Sequence, residues 1–550
     1  MTVLMALGVL QFNLPNLGNN LIPRNFFAWA VLVLAAAGLL VLAVRSRSFY
    51  WSNWCYGWFL PPAAVLLHGV LMPASLPHYG LLAAGALGGF AIWLLALIQA
   101  QLTPRDWWHI SRWMLVGAVL LVVLALPSSN YLNQPHWLEG LPIVLRLPEG
   151  GFQQRNVFAS FLGSVLLWSW VMRLRLGAMG WPGTLAFSMA AFLIAWCVFL
   201  SGSRTGTVAV AGSAGLLVVY ALSRGWRHRG LIGPALAIAA ALAVTVVSPI
   251  EDINARMADL ADGSSTTSRL SMWQVSYALG FEAPWMGHGL GSFTEVFHPA
   301  FVEQVRAGQT LTYVNFLNHP HNETLLWWVE TGLYGLLLVV LPWIVSLFFL
   351  VLWRNPSAIL FVVSLTPMLL HTQTEFPLHT SGVHWFLAGL IIVSTARPDL
   401  LPARESHLKP FWPAVIGGFA AVLVAGLMQS GWHSYRNWQV ASQPPQRLVD
   451  TIQARAQDPI FKHPVLGSEA RDFWILSLTR IALQVQDREW VASLREPLEQ
   501  MQTRWQGPQV WQTLAQVYQQ LDDAVALQRH LDWVAALQPS AVAPIQAGLD

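Results

Sequence analysis

The chain has 550 residues, 55% of them hydrophobic and only 10% charged, with a formal net charge of +3. Soluble globular proteins are about a quarter charged, so this composition excludes an ordinary soluble enzyme and points to a multi-span membrane protein. The small net charge gives no argument for nucleic-acid binding, and two cysteines, Cys55 and Cys197, in apolar stretches argue against a disulfide framework or a zinc site.

A helix needs about 20 apolar residues to cross the hydrocarbon layer. Segments that reach or approach this length fall near 26–44, 54–72, 79–99, 110–126, 156–172, 184–200, 205–223, 231–248, 333–353, 356–371, 381–396 and 411–429. They predict twelve spans, and the stunted apolar stretch Val3–Leu10 adds a thirteenth or is the remnant of one. The 29 tryptophans suit a protein with many membrane–water boundaries.

Basic residues set the orientation. Arg45 and Arg47, Arg105 and Arg112, Arg173 and Arg175, Arg224, Arg227 and Arg229, Arg354, then Arg397, Arg404 and Lys409 occupy alternate connections, which should be cytoplasmic. The outward parts are then 127–155, a tight turn near 201–204, the long stretch 249–322, the link 372–380 and everything after about 430. Strict alternation puts the N-terminus outside with twelve spans and inside with thirteen; a short, weakly apolar first segment also fits a start lying upstream.

Beyond Gln429 apolar residues fall to helical spacing among Gln, Arg and Asp. WQTLAQVYQQLDDAVALQRHLDWVAALQPS (Trp511–Ser540) puts Trp511, Leu514 and Tyr518 on one stripe and Ala524, Leu527, Leu531 and Leu537 on a second helix before Pro539. The pattern resembles one tetratricopeptide-like hairpin. The expected organisation is N-terminal transmembrane helices over 1–150, a membrane core over 151–429 with the large outward loop at about 249–322, and a soluble helical domain over 430–550.

Three outward arginines break the topology pattern: Arg155 in GGFQQRNVFASF, Arg204 in FLSGSRTGTVAV, and Arg269 after a small, flexible stretch in DGSSTTSRLSMWQ. Each alone could snorkel to lipid head groups. Together, set among Gly, Ser, Gln and Asn, they suit convergence on an anion, because the guanidinium fork holds two oxygens and keeps its charge.

NHPHNETLLWWVETGLYGLL (Asn318–Leu337) supplies a base. His319 and His321 flank Pro320, which favours an extended or turn geometry before a helix that starts near Asn322. Histidine titrates near neutral pH and suits proton removal from a hydroxyl. Asn322 and Glu323 could fix its tautomer or the helix start. Competing readings are a helix-start histidine satisfied by backbone, and a metal site of the His-x-His pair, His319 and His321, with His371, His379 or His384, which no cysteine or carboxylate spacing supports. Trp327 and Trp328 read as an interfacial anchor. HTQTEFPLHTSGVHW (His371–Trp385), with Glu375, reads either as the polar tip of a tight helical hairpin or as part of the site.

SGSRTG (Ser201–Gly206), TSRLSMWQVSYALGFEAPWMGHGLGSF (Thr267–Phe293) and the His321 segment, in that order, resemble the superfamily of O-antigen ligases and bacterial protein O-oligosaccharyltransferases over roughly 150–400. The resemblance implies an all-α polytopic enzyme of the bacterial inner membrane with about 12–13 transmembrane helices, its active site facing the periplasm. It implies transfer of a glycan from undecaprenyl diphosphate to an acceptor hydroxyl, with no metal and no cofactor. His321 matches the essential histidine proposed to activate the acceptor, and Arg204 and Arg269 match arginines proposed to engage the diphosphate.

Two further segments are similar to the protein-glycosylating branch. In GGFQQRNVFASFL, Gln154 and Asn156 occupy matching positions and Arg155 stands where proline is commoner; HTQTEFPLH carries the glutamate–aromatic–Pro-Leu pattern. A soluble C-terminal domain also fits that branch, whose acceptors are periplasmic proteins such as pilins. One departure is that LPNLGNNLIPRNFFAW, the first outward loop, lacks the usual histidine. Lipid A–core ligation, O-antigen polymerisation, and transport of a lipid-linked glycan by a non-enzyme remain as alternatives.

Overall fold

Hydrocarbon offers no water to backbone amides, so each apolar run has to close its hydrogen bonds within a helix. The computed structural model describes residues 32–41, 49–51, 53–72, 77–125, 152, 154–176, 180–225, 229–247, 264–314, 317–347, 358–395, 404–406 and 467–549. Six helices there are long and apolar enough to cross a membrane: Tyr79–Gln99, Arg155–Arg175, Trp181–Leu200, Arg204–Ser223, Gly230–Val247 and Glu323–Val345. Shorter apolar helices lie at Leu32–Val41, Gly57–Leu71, Val362–Thr372 and Gly382–Thr395. The protein is an all-α, multi-pass membrane protein. Val3–Leu10, the span near 411–429 and residues 430–466 lie outside the described residues.

In chain order the elements that bear on the site are α1 (Arg155–Leu176), α2 (Trp181–Leu200), α3 (Arg204–Ser223), α4 (Arg229–Val247), α5 (Ser264–Glu282), α6 (Phe293–Arg306), α7 (Glu323–Gly335), α8 (Ala358–Thr372) and α9 (Gly382–Thr395). The described strands are three residues long: Phe49–Trp51 pairs antiparallel with Arg404–Ser406. Gln99 steadies that pair by exchanging two hydrogen bonds with the Tyr50 backbone, at 2.8 and 2.6 Å.

The chain divides into two compact units. The first comprises Met1–Pro62, Ala86–Met257 and Val339–Gly431. Its spine is α1, buried along its whole span. Small residues let neighbours close on it: a Cβ at Gly163 would lie 2.6 Å from Val210 of α3, and one at Gly206 would lie 2.8 Å from Ala159. Similarly, Gly389 leaves room for the Trp93 ring, whose Nε1 donates to the Phe386 carbonyl at 3.0 Å.

The second unit comprises Ala63–Gly85, Ala258–Leu338 and Trp432–Asp550. Here the described part of the stretch expected to be an outward loop contains two helices, α5 and α6. Ser264–Ser268, expected to be flexible, opens α5, because Met272, Val275 and Leu279 recur at helical spacing and are all buried. α5 and α6 share one core with the C-terminal helices α10 (Pro508–Gln520) and α11 (Ala524–Leu537), through Phe297, Phe301, Trp511 and Val534. The predicted stripe of Trp511, Leu514 and Tyr518 is buried as expected. Trp328, read as an interfacial anchor, is also a packing residue. Its ring packs on Gly280, where a Cβ would lie 1.7 Å from the indole nitrogen.

α7 is broken at Gly332 (φ 57°, ψ −152°), a conformation open essentially to glycine alone. The segment 284–289 repairs the break. Leu333 and Tyr334 donate to the carbonyls of Pro284 and Trp285 at 2.8 and 3.0 Å, and His288 and Gly289 donate back to Val329 and Glu330, both at 2.9 Å. A Cβ at Gly332 would lie 2.7 Å from the Pro284 oxygen, and one at Gly287 (φ +69°) 2.3 Å from the Glu330 carbonyl carbon. Alanine at either glycine should cut the yield of monodisperse protein severalfold in fluorescence-detected size exclusion. Gly215→Ala, in open space on α3, should leave it unchanged.

Candidate functional site

A helix leaves its first backbone N–H groups unpaired, and its dipole makes that end attractive to anions. In the first unit two such ends adjoin. Arg155 is the first residue of α1 and Arg204 the first of α3, and Gly206 packs against Ala159 one turn into α1. The expected tight turn is three residues, Ser201–Ser203, closed by Gly202 at φ +65°. Ser203 caps α3 by accepting from Gly206 N at 3.1 Å.

The link after α8 ties these two ends together. Glu375, 3% exposed, accepts from the side-chain amides of Gln154 at 3.0 Å and Asn156 at 3.4 Å. Thr374 and Thr205 share a hydroxyl hydrogen bond of 3.0 Å, next to Arg204. Gln154, Asn156 and Glu375 are therefore in direct contact although more than 200 residues apart, and Arg155 lies between two of them in the chain.

Beneath this clamp is a network that sequence reasoning missed. Ser160 Oγ lies 2.8 Å from His371 Nδ1, 2.9 Å from His384 Nε2 and 3.0 Å from the Val157 carbonyl. A hydroxyl has one proton and the carbonyl can only accept. When the hydroxyl donates to Val157, both imidazoles donate to Ser160, and His384 Nδ1 accepts from Ser381 Oγ at 2.8 Å. His371 and His384 drew attention only as metal ligands; here they are hydrogen-bonded to serines. No cluster of three His, Cys, Asp or Glu side chains suited to a metal occurs among the described residues. The signal available in sequence was a hydroxyl one turn after Asn156.

The second unit carries the histidine segment. Asn322 caps α7, its side chain accepting from Leu325 N at 3.0 Å, and Glu323 stands buried in the first turn where a negative group is favoured. His321 is held at φ +50°, a left-handed backbone uncommon outside glycine. Its N–H donates to His319 Nδ1 at 3.0 Å, so a neutral His319 carries its proton on Nε2. The two rings meet at 4.2 Å and 63°. His319 is buried, whereas His321 is half-buried.

Arg269 lies on α5 one turn before Trp273, whose Nε1 donates to the Pro320 carbonyl at 3.0 Å. Ser271 Oγ accepts from Thr312 N at 3.0 Å and Gln274 donates to Gln309 at 2.7 Å. α5 thus braces the segment that presents His321, and Trp273 is a positioning group that sequence reasoning did not single out. Of the six sequence-predicted residues absent from the first unit's clamp, Arg269, His319, His321, Asn322 and Glu323 lie in this unit; Arg204 heads α3 of the first.

Residues 189–340 match the family model described as O-antigen ligase. The matched stretch contains Arg204, Arg269, His319, His321, Asn322 and Glu323, while Gln154, Arg155, Asn156 and Glu375 fall outside it. No curated protein matches the chain. The family match supports the superfamily that the three motifs resemble.

A further histidine of this unit is unsuited to act as a base. His298 on α6 is 1% exposed, its Nδ1 donates to the Thr294 carbonyl at 2.7 Å, and burial holds the imidazole down at about 4. Its neighbour Tyr313 is pushed upward by the same burial. In the unfolded chain His298 titrates near 6.5, so below that pH the unfolded state binds more protons and the native state loses stability until about pH 4. The loss amounts to about 3 kcal/mol over that window. Thermal unfolding between pH 4.5 and 7.5 should show a downward slope on acidification that His298→Gln removes.

Proposed function

We propose that the protein is a membrane glycosyltransferase that moves a glycan from an undecaprenyl-diphosphate donor to a Ser or Thr hydroxyl of a periplasmic protein such as a pilin. The observation that carries this reading is the presentation of His321: a half-buried histidine on a left-handed backbone position, braced by His319 and Trp273, inside the stretch that matches the O-antigen ligase model. Strain of about 1–3 kcal/mol persists at such positions only where the surroundings enforce it, commonly at functional sites.

The acceptor oxygen attacks the anomeric carbon while its proton passes to His321. The carbon–oxygen bond to the diphosphate breaks, and undecaprenyl diphosphate leaves with the bonding pair. Charge grows on the leaving group as the bond breaks, so donors already in place stabilise the transition state more than the ground state. Arg204 and Arg155, at the starts of α3 and α1, and Arg269 on α5 are assigned to that diphosphate. Gln154 and Asn156 on Glu375, with Thr205 on the adjacent Thr374, hold the first two helix starts in register. His319 orients His321, and Asn322 and Glu323 secure the start of α7. The bulk membrane holds the polyprenyl tail.

A second reading, ligation of O-antigen to lipid A–core, is favoured by the description of the matching family. Co-expression with a lipid-linked glycan pathway and a pilin separates the two. Intact-mass analysis should find glycan on the pilin with the native chain and none with His321→Ala. Arg204→Lys and Arg269→Lys should each reduce transfer at least tenfold while protein levels hold. Glycan found on lipid A–core, with the pilin unmodified, would select the second reading. Full transfer by His321→Ala would end both.

A further inference from the structure

Arg173 stands near the far end of α1 and is only 2% exposed. One guanidinium nitrogen donates to Thr184 Oγ1 at 2.7 Å, and the group lies over the Phe187 ring, 5.0 Å from its centroid. Nε and the other terminal nitrogen are buried with no hydrogen-bond partner. A guanidinium cannot shed its charge, and an enclosed cation with unmet N–H groups is strongly disfavoured. Arginines that merely set topology stretch to water. This one is packed between helices instead.

One helix start meets it. Thr184 belongs to the first turn of α2, whose N-cap, Gly180, makes no side-chain capping bond. α4 packs against α1 and α2 nearby: Gly230 accepts from Trp170 Nε1 at 3.0 Å, and a Cβ at Gly233 would lie 2.7 Å from Ser188 Oγ and 3.3 Å from Thr184. The positive end of the α2 dipole therefore adds to the guanidinium. Arg175, one step further on, donates to the Ser394 carbonyl at 3.3 Å.

Depth identifies the anion. Arg155 and Arg173 are separated along α1 by about 27 Å at helical rise, close to the roughly 30 Å of hydrocarbon in a bilayer. Trp181, 65% exposed at the start of α2, is the amphipathic ring expected at a membrane–water boundary. The oxyanion abundant at that level is phosphate. We propose that Arg173, with the uncapped start of α2, binds a phosphate group at the head-group level of the leaflet opposite Arg155, supplied by a phospholipid. The fork of the guanidinium and the free backbone donors of the helix start would share its oxygens. This site is independent of the glycan-transfer reading.

The test uses the full chain, purified and delipidated in detergent, with three probes: phosphatidylglycerol, phosphatidylcholine and inorganic phosphate. Native mass spectrometry counts retained lipid, and thermal unfolding reports stabilisation. Phosphatidylglycerol should raise the unfolding midpoint of the native chain and of Arg175→Gln by several degrees. With Arg173→Gln the shift should at least halve and retained lipid should fall threefold or more. Equal effects of the two lipids would identify the shared phosphodiester as the ligand. A matching effect of inorganic phosphate would keep the site and make a free ion its occupant. Should Arg173→Gln fail to fold, Arg173→Lys and Thr184→Val carry the test, each expected to weaken lipid retention. Variants that respond to all three probes as the native chain does would overturn the proposal, leaving water as the partner of Arg173.

Discussion

A polypeptide in hydrocarbon must satisfy its own amides, and that requirement governs where polar chemistry can sit in this protein. Along the body of α1 or α3 every backbone group is spoken for. Only at helix starts and at breaks do free donors and irregular backbone occur. The clamp of Glu375 on Gln154 and Asn156 lies at one such start, and the threonine pair beside Arg204 lies at another. Arg173 touches the start of a third.

The broken helix obeys the same rule by another route. Gly332 abandons helical geometry, and the freed groups of Leu333 and Tyr334 are met by Pro284 and Trp285. A segment nearly 50 residues earlier in the chain thus becomes part of the helix that begins beside His321. The second unit has a large buried core in which α5, α6 and the C-terminal helices share aromatic side chains, so α5 is fixed by residues as distant as Trp511 and Val534. The stiffness that core gives α5 is passed on through Trp273 to Pro320.

Histidines in this chain illustrate how environment assigns roles. His298 is buried and held neutral, His371 and His384 are absorbed in hydrogen bonds to Ser160, and His319 uses Nδ1 to hold a backbone N–H. His321 is the half-buried partner of that last pair. Residue type alone would have treated all of them alike.

Much of the architecture was legible from residue order. Hydropathy located the helices because apolar run length is a local property, and the turn at Ser201–Ser203 and the cap at Asn322 follow from local preferences for Gly, Ser and Asn. The helical stripe through Trp511, Leu514 and Tyr518 was equally plain. Reading 249–322 as an outward loop missed α5 and α6, whose apolar faces are short and only gain meaning against a core contributed by the C-terminal helices. The packing of Trp328 on Gly280 was likewise invisible in the sequence. What the chain order could not contain was partnership across hundreds of residues: Glu375 with Gln154, Ser160 with two histidines, Thr374 with Thr205. Local propensity and solvent preference are written residue by residue, whereas hydrogen-bond geometry exists only once packing has brought the partners within 3 Å or so.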